Sequence, residues 1–179
     1  MSKIYVFDDK TENMTAAENA ITAAGHTMAK ESWTVHRDYL DALERPEENG
    51  DLGGFGDAMD NVYQMIEDAG REVGSGFITD LMFVNSDIYN PVEKPSGIML
   101  ALHAIAHRVP VVICSLLDSR SRTLNHHSEP VAFIHDGYLS LMSYRREKLR
   151  SRNLECPFGW VEDKDWMKAV QLLEERMVR

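Results

Sequence analysis

Aspartates follow two short apolar runs in this chain, and their positions predict one acidic pocket. Ile4 to Phe7 leads into Asp8 and Asp9, and a second run, Gly76 to Val84, contains Asp80. Such runs are typical of strands buried on both faces of a parallel sheet. A buried carboxylate without a partner is costly, so we expect Asp80 to emerge where its strand ends. The three aspartates then meet at the carboxyl edge of the sheet, where open α/β folds bind ligands.

Three convergent carboxylates repel one another and raise one another's pKa unless a cation enters. Mg²⁺ is the expected cation, because it is a hard ion that takes one or two carboxylates together with carbonyl oxygens and waters. The alternative for Asp80, taken alone, is a capping or salt-bridged carboxylate.

The first sixty residues predict the elements that begin to build this pocket. Apolar residues recur at helical spacing between Thr11, the expected N-cap, and Gly25, the expected stop. His26 to Val35 is predicted as the second strand, which completes a βαβ unit. A long connection follows, from about residue 36 to residue 75, with helical spacing in two parts. Its glycines at 50, 53, 54 and 56 fail as a phosphate loop, because no strand precedes them and no Lys-Ser or Lys-Thr pair follows. A flexible surface loop is predicted there.

The remaining segments complete the pattern. Gly97 opens a helix, Val109 to Ser115 and Pro130 to Ile134 predict the fourth and fifth strands, and a last helix follows Asp163 or Asp165. The fold class predicted is α/β: a doubly wound, five-stranded parallel sheet of flavodoxin-like type with helices on both faces. We expect a single domain over residues 1–179, with insertions after strand 2 and after strand 5, at about 36–75 and 137–158.

The net charge, the apolar runs and the cysteine count argue against several classes of protein. The net charge of −10 argues against a general nucleic-acid binder. No apolar run approaches the length that spans a membrane. Two cysteines, Cys114 and Cys156, give no disulfide framework. A cytoplasmic protein without membrane or nucleic-acid partners is expected.

Histidines and arginines offer further candidates. His103 and His107 lie one helical turn apart, the spacing of a two-histidine metal edge. No acidic residue or cysteine beside them completes a set, so partly exposed polar-face residues are predicted. Adjacent histidines at His126 and His127, after Asn125, need a bent loop to share a metal. The arginine-rich stretch 145–152 predicts a solvated helix face, or a docking site for an acidic partner or neighbouring subunit.

In this order, the features resemble the receiver domain of bacterial two-component response regulators. The resemblance rests on Phe7-Asp8-Asp9-Lys10 with Glu12-Asn13, on Thr79-Asp80-Leu81, on the hydroxyl that ends strand four, and on Gly97 and Pro110. It implies that Asp80 is the phosphoacceptor and Ser115 senses the phosphoryl group. It also implies Mg²⁺ as the cofactor, held directly by Asp9, through water by Asp8, and by the backbone carbonyl of Met82.

One departure concerns the lysine that receivers carry at the end of strand five. The predicted strand here runs Phe133-Ile134-His135-Asp136, and Cys156-Pro157-Phe158, which resembles the usual lysine segment, has cysteine instead. Neither alignment supplies the cation, and His135 carries charge only when protonated. The carboxyl half, including Asn125-His126-His127, also looks like a set of stand-alone receiver-like proteins, a likeness that supplies no function.

Three functions follow from these patterns. The first is a stand-alone receiver-like signalling module that is phosphorylated on Asp80 and switches a surface for a histidine kinase, a downstream effector or a second copy. The second is a pseudo-receiver, an interaction domain that is never phosphorylated, which the missing lysine favours. The third is a haloacid-dehalogenase-type phosphatase, suggested by Asp8 to Asn13, although that motif normally lies late in such chains. Beyond self-phosphorylation and autodephosphorylation, no enzyme activity is expected.

Overall fold

The computed structural model describes residues 1–44, 53–81, 83–84, 93–94, 96–116 and 158–177, which fold as an α/β structure. Its strands are β1 (Lys3–Phe7), β2 (Thr27–Met28), β3 (Gly76–Thr79), β4 (Phe83–Val84), β5 (Glu93–Lys94), β6 (Val111–Cys114) and β7 (Phe158–Val161). Its helices are α1 (Thr11–Ala23), α2 (Lys30–Glu44), α3 (Gly53–Arg71), α4 (Gly97–Ala106) and α5 (Trp166–Met177). Across these ranges, every helix is too short or too polar to cross a membrane.

Five of the strands form one parallel sheet in the order β2-β1-β3-β6-β7. This order is consistent with a flavodoxin-like fold. Phe7 pairs with Thr79, Thr79 pairs with Ile113, and Cys114 pairs with Val161. Because these pairs lie at or next to the last residue of each strand, the residues that follow the strands meet at one edge. The strands β4 and β5 form a separate antiparallel pair.

Alternate residues of the strands belong to two buried apolar clusters, as the two-residue period of a strand requires. One cluster takes Tyr5, Phe7 and Phe77 together with residues of α2, α3 and α4. The other takes Ile4, Val6 and Ile78 together with residues of α1 and α5. Strands in this arrangement carry apolar side chains at consecutive positions, which explains the continuous runs in the sequence.

The predicted second strand, His26 to Val35, is wrong for most of its length. Only Thr27–Met28 is a strand, and α2 begins at Lys30. The buried positions of α2 follow helical spacing but include two polar residues, Ser32 and His36. Ser32 Oγ accepts a hydrogen bond from the backbone N–H of Val6 at 2.9 Å. The helical period was therefore hidden by buried polar side chains that have partners in other parts of the fold.

The predicted connection over 36–75 contains the end of α2 and all of α3, so it is largely helical within the described residues. Three of its glycines, at 53, 54 and 56, lie in the first turn of α3 rather than in a flexible loop. The strand at 76–84 ends at Thr79, which leaves Asp80 directly after it as expected.

Among the described residues, the fifth strand of the sheet is β7, and the predicted segment was Pro130 to Ile134. That segment lies outside the described residues, as does the predicted insertion at 137–158 apart from Phe158, which begins β7.

The ends of the helices follow the sequence in part. Gly25, with φ of 80°, ends α1 in the left-handed conformation as predicted. Asp165 Oδ1 accepts a hydrogen bond from the N–H of Lys168 at 3.1 Å and so caps α5, also as predicted. Thr11 is wrong as a cap, because the N-cap position of α1 is Lys10, whose side chain makes no capping hydrogen bond.

The start of α4 at Gly97 lies very close to the backbone of Asp80, and replacing Gly97 tests this packing of α4 against the end of β3. A Cβ atom there would lie 1.8 Å from the backbone oxygen of Asp80, whereas a Cβ at Gly56 would have nothing within 4 Å. We expect Gly97→Ala to lower the free energy of unfolding by about 2–3 kcal/mol, because backbone must move. Gly56→Ala, the matched control, is expected to stabilise by up to about 1 kcal/mol as a helical substitution. Urea unfolding measures both, and equal effects would contradict the close approach.

Candidate functional site

The carboxylates of Asp8, Asp9 and Asp80 meet at the carboxyl edge of the sheet, as the sequence predicts. One ligand oxygen from each lies within 4.8 Å of the others. Asp8 has no exposed surface and Asp80 is 5% exposed, while Asp9 is half-buried. Asp8 and Asp9 follow β1 directly and Asp80 follows β3 directly, and these two strands are hydrogen-bonded neighbours. The parallel register therefore produces the cluster.

A lysine lies in the same cluster, although neither segment compared in the sequence supplies one. Lys164 Nζ lies 2.8 Å from Asp80 Oδ2 and donates a hydrogen bond to Asp8 Oδ2. Its side chain is only 8% exposed. Because the fifth strand is β7, the lysine that follows it is found at residue 164, beyond the segments in which the sequence alignment sought it.

The turn between β7 and α5 delivers Lys164 to the carboxylates. Asp163 and Lys164 both have positive φ, at 59° and 52°. For residues other than glycine, the left-handed conformation costs roughly 1–2 kcal/mol each. The backbone N–H of Lys164 donates to the Ser115 carbonyl at 3.1 Å, and the N–H of Ser115 donates to the Val161 carbonyl at 3.0 Å. These bonds to the neighbouring strand hold the strained turn.

Besides the contact of its Oδ2 with Lys164, Asp8 is held by hydrogen bonds at two further atoms. Its Oδ1 accepts from the N–H of Lys10 and from the Asn13 side chain, both at 2.9 Å. Its backbone oxygen accepts from Nδ1 of His36 at 2.8 Å. Since a carbonyl can only accept, His36 carries its proton on Nδ1, and Nε2 lies 3.1 Å from the Thr11 hydroxyl. Sequence reasoning missed His36, because its partner is 28 positions away and nothing local marks a buried histidine.

The electrostatics of the cluster set it apart from a surface ion pair. Burial, together with the nearby Asp8 carboxylate, raises the pKa of Asp80 from 3.8 to about 6, although Lys164 and the N–H of Leu81 act in the opposite direction. The N–H of Leu81 donates to Asp80 Oδ1 at 2.6 Å. Burial alone lowers the pKa of Lys164, but Asp80 and Asp8 more than offset it and raise that pKa.

The other predicted site residues fall into two groups. Ser115 follows β6 directly, is 1% exposed, and shares the edge through its backbone bonds to Val161 and Lys164. The remaining predictions, at Met82, Asn125, His126, His127 and His135, lie outside the described residues, as do the arginine-rich stretch 145–152 and Cys156.

A second cluster involves the histidines of α4. The structure brings Glu67 of α3 beside His103 and His107, with Oε1 3.6 Å and 3.9 Å from their Nε2 atoms. Both histidines are partly exposed, as predicted, and the acidic residue beside them in space is not one of their neighbours in sequence. Glu67 is distant in sequence, so only the packing of α3 on α4 reveals it.

The donors of the acidic cluster fit Mg²⁺. All three are hard carboxylate oxygens, which this ion prefers. When ionised, the carboxylates of Asp8 and Asp80 share one ammonium, that of Lys164, so this buried pair keeps negative charge that a divalent cation would neutralise. The burial of Asp8 and Asp80 makes that neutralisation valuable, because unbalanced charge is costly away from water.

Comparison with protein-family models, with curated proteins and with solved structures gave no match to this chain.

The raised pKa of Asp80 predicts a particular dependence of stability on pH. Its stabilising contribution is present below 3.8 and is lost as the pH rises through about 6, since the folded protein then holds the proton more tightly than the unfolded chain. We expect the unfolding free energy in EDTA, measured relative to Asp80→Asn, to fall over this interval. At about 1.4 kcal/mol per pKa unit, the fall is at most about 3 kcal/mol.

The Glu175→Gln variant is the control for this measurement, because it removes one exposed carboxylate that is not part of the acidic cluster. Its profile should run parallel to that of the wild type. If the Asp80→Asn profile is equally parallel, the carboxyl of Asp80 has an ordinary pKa and the buried cluster does not exist in solution.

Proposed function

We propose that this protein is a receiver-like signalling module with a doubly wound fold, in which Asp80 accepts a phosphoryl group. The observation that carries the proposal is the contact of Lys164 Nζ with the carboxylates of both Asp8 and Asp80. A nucleophilic carboxylate, two further acidic groups and a lysine at one sheet edge is the set that the resemblance to response regulators implies. Lys164 supplies the group that the sequence alignment lacked.

The reaction follows from the charges of these side chains. One Asp80 carboxylate oxygen forms a bond to the phosphorus of a donor, the bond from phosphorus to the leaving group breaks, and the leaving group departs with that electron pair. The product is an acyl phosphate on Asp80. When bound by Asp8, Asp9 and Asp80, Mg²⁺ would offset the negative charge of the phosphoryl oxygens.

The protein's own groups orient the nucleophile. Asp80 Oδ1 accepts the Leu81 N–H, and Oδ2 contacts the Lys164 ammonium. Of the two oxygens, Oδ2 lies on the side of the cation and is the one we assign as nucleophile. The Lys164 ammonium is then placed to pair with the incoming phosphoryl group, a charge-assisted contact that replaces its contact with Asp80.

A switch follows from the same contacts. Because the backbone of Lys164 is bonded to Ser115, a shift of Lys164 toward a phosphoryl group reaches the end of β6. We propose that the surface after Ser115 changes in this way and is recognised by a protein partner, such as a histidine kinase or a downstream effector, in the cytoplasm.

The same contact is also what a pseudo-receiver, the second candidate, requires. The Lys164 ammonium lies against both Asp8 and Asp80, so the cluster contains a cation of its own. An interaction domain that never receives a phosphoryl group needs no more than this internal pairing. The two candidates differ in whether Asp80 forms a covalent adduct.

Intact-mass spectrometry with a small phosphoryl donor distinguishes them. We expect wild-type protein with acetyl phosphate and Mg²⁺ to gain the mass of one phosphoryl group, and Asp80→Asn or EDTA to abolish the gain. Glu175→Gln, a carboxylate variant outside the cluster, should behave as the wild type. Mg²⁺ binding without any adduct from acetyl phosphate or phosphoramidate would reject the phosphoacceptor role and leave the pseudo-receiver.

Replacing Lys164 tests the electrostatic argument separately. Lys164→Met keeps an unbranched side chain but removes the ammonium that competes with a metal for Asp8 and Asp80. We expect its Mg²⁺ affinity, measured by calorimetry, to rise at least about tenfold, or 1.4 kcal/mol, while the phosphoryl adduct decreases. The exposed Lys168→Met has the same change in net charge and should leave both unchanged. Equal Mg²⁺ affinities in the two variants would show that Lys164 does not share the metal's carboxylates.

A further inference from the structure

Glu67, His103 and His107 form a cluster of metal-ligating side chains away from the acidic edge. His103 lies in α4 and His107 is its C-cap residue, with the N–H of His107 bonded to the His103 carbonyl at 3.1 Å. The helical turn between them is therefore intact, which places both imidazoles on one face. Glu67 lies on α3, the helix that packs against this face.

A close approach of the two helices brings these residues together. A Cβ at Gly70, almost one turn beyond Glu67, would lie 2.8 Å from the backbone oxygen of His107. Only glycine allows α3 to come this near to the end of α4. The carboxylate of Glu67 is thereby directed at the imidazole pair from the opposite helix.

The three ligand atoms surround a common point. Glu67 Oε1 lies 3.6 Å from His103 Nε2 and 3.9 Å from His107 Nε2, and all three atoms fall within 4.8 Å of one another. With metal–ligand bonds of 2.0–2.1 Å, tetrahedral ligands stand about 3.4 Å apart. Glu67 Oε1 is therefore within a few tenths of an ångström of the ligand separation from each histidine nitrogen.

Hydrogen bonding within the cluster does not account for this arrangement. His103 Nε2 is shielded from solvent and has no hydrogen-bond partner among the residues that the structure describes, since its 3.6 Å separation from Glu67 exceeds hydrogen-bond distance. Tyr63 packs edge-on against the His103 ring at 4.9 Å, and Arg71 Nη2 lies 3.7 Å from the second oxygen of Glu67. These neighbours restrict the imidazole and the carboxylate while leaving the three facing atoms for a ligand.

We propose that Glu67, His103 and His107 bind a Zn²⁺ ion. Two imidazole nitrogens and one carboxylate oxygen form a ligand set of the kind that holds zinc with one position open to water. Imidazole favours zinc over the hard ions that suit the acidic edge. Burial, together with the neighbouring His107, lowers the pKa of His103, and the neutral ring is the form that ligates metal.

The two metal sites are separate. Gly97 begins α4 beside Asp80, whereas the histidines lie 6 and 10 residues further along the same helix, about 9 and 15 Å by the helical rise. Zinc at this position would tie α3 to the end of α4. The site does not depend on the proposed function, because none of its residues belongs to the acidic cluster.

Zinc titration against a chromophoric chelator tests the site on the full chain. Excess Mg²⁺ is present, so that the acidic edge is saturated. We expect the wild type to bind one equivalent that is lost on substitution of any of the three ligands. Since loss of an outer-shell partner alone costs 10–100-fold in metal affinity, His107→Ala and Glu67→Gln should each weaken binding at least about 100-fold. Co²⁺ in place of zinc should give visible absorption bands that the same variants remove.

Matched controls locate the bound ion. The chain has seven histidines, so His26→Gln, which removes an imidazole bonded to Glu174, should bind zinc as the wild type does. Asp80→Asn should do the same. Circular dichroism checks that the variants are folded, and the isosteric Glu67→Gln carries the test if a histidine variant is not. Absence of zinc binding in the wild type, or wild-type affinity in both Glu67→Gln and His107→Ala, would overturn the proposal.

Discussion

The contact of one buried ammonium with two buried carboxylates is the constraint on which the carboxyl edge of this sheet depends. Lys164 follows β7, which lies at one end of the strand order, and its side chain extends across the end of β6 to Asp80 and Asp8. Removing one partner from such a group leaves uncompensated charge in the interior, which typically costs 3–5 kcal/mol. The three strand ends must therefore stay in register for the edge to remain folded.

Several local features maintain this register, and some of them introduce backbone strain or require very close packing. Two consecutive residues other than glycine, Asp163 and Lys164, adopt the left-handed conformation, and hydrogen bonds through Ser115 hold them there. His36 donates to the backbone of Asp8, so α2 supports the same loop from a second direction. Gly97 lets α4 begin against the backbone of Asp80. Strain and close packing concentrated at one edge are more typical of a functional site than of a fold alone.

Sequence patterns predicted the parts of the site that depend on strand ends. Asp8, Asp9 and Asp80 each follow an apolar run directly, so a parallel sheet alone makes them converge. Lys164 follows a four-residue strand by three positions within a strained turn, and the run at 130–134 offered a more apolar candidate for that strand. Ser32 and His36 obscured the helical pattern of α2 in the sequence, because they are polar residues that are buried against partners on β1 and in the loop after it. Glu67 meets the histidines only through interhelical packing. The features that the sequence did not reveal all depend on contacts between segments that are distant in the chain.

The composition of the acidic edge argues for a role beyond stability. Well-packed apolar residues of similar volume often replace a buried ion pair with no loss of stability, and sometimes with a gain. Here two buried carboxylates share one ammonium, and the pKa of Asp80 is raised to about 6 because burial and Asp8 outweigh Lys164. If the cluster contributed only to stability, fewer buried charges would be expected at this edge. Excess negative charge beside an oriented carboxylate is useful where a divalent cation and a phosphoryl group are to be received, and this is the argument for the proposed receiver-like function over a purely structural ion pair.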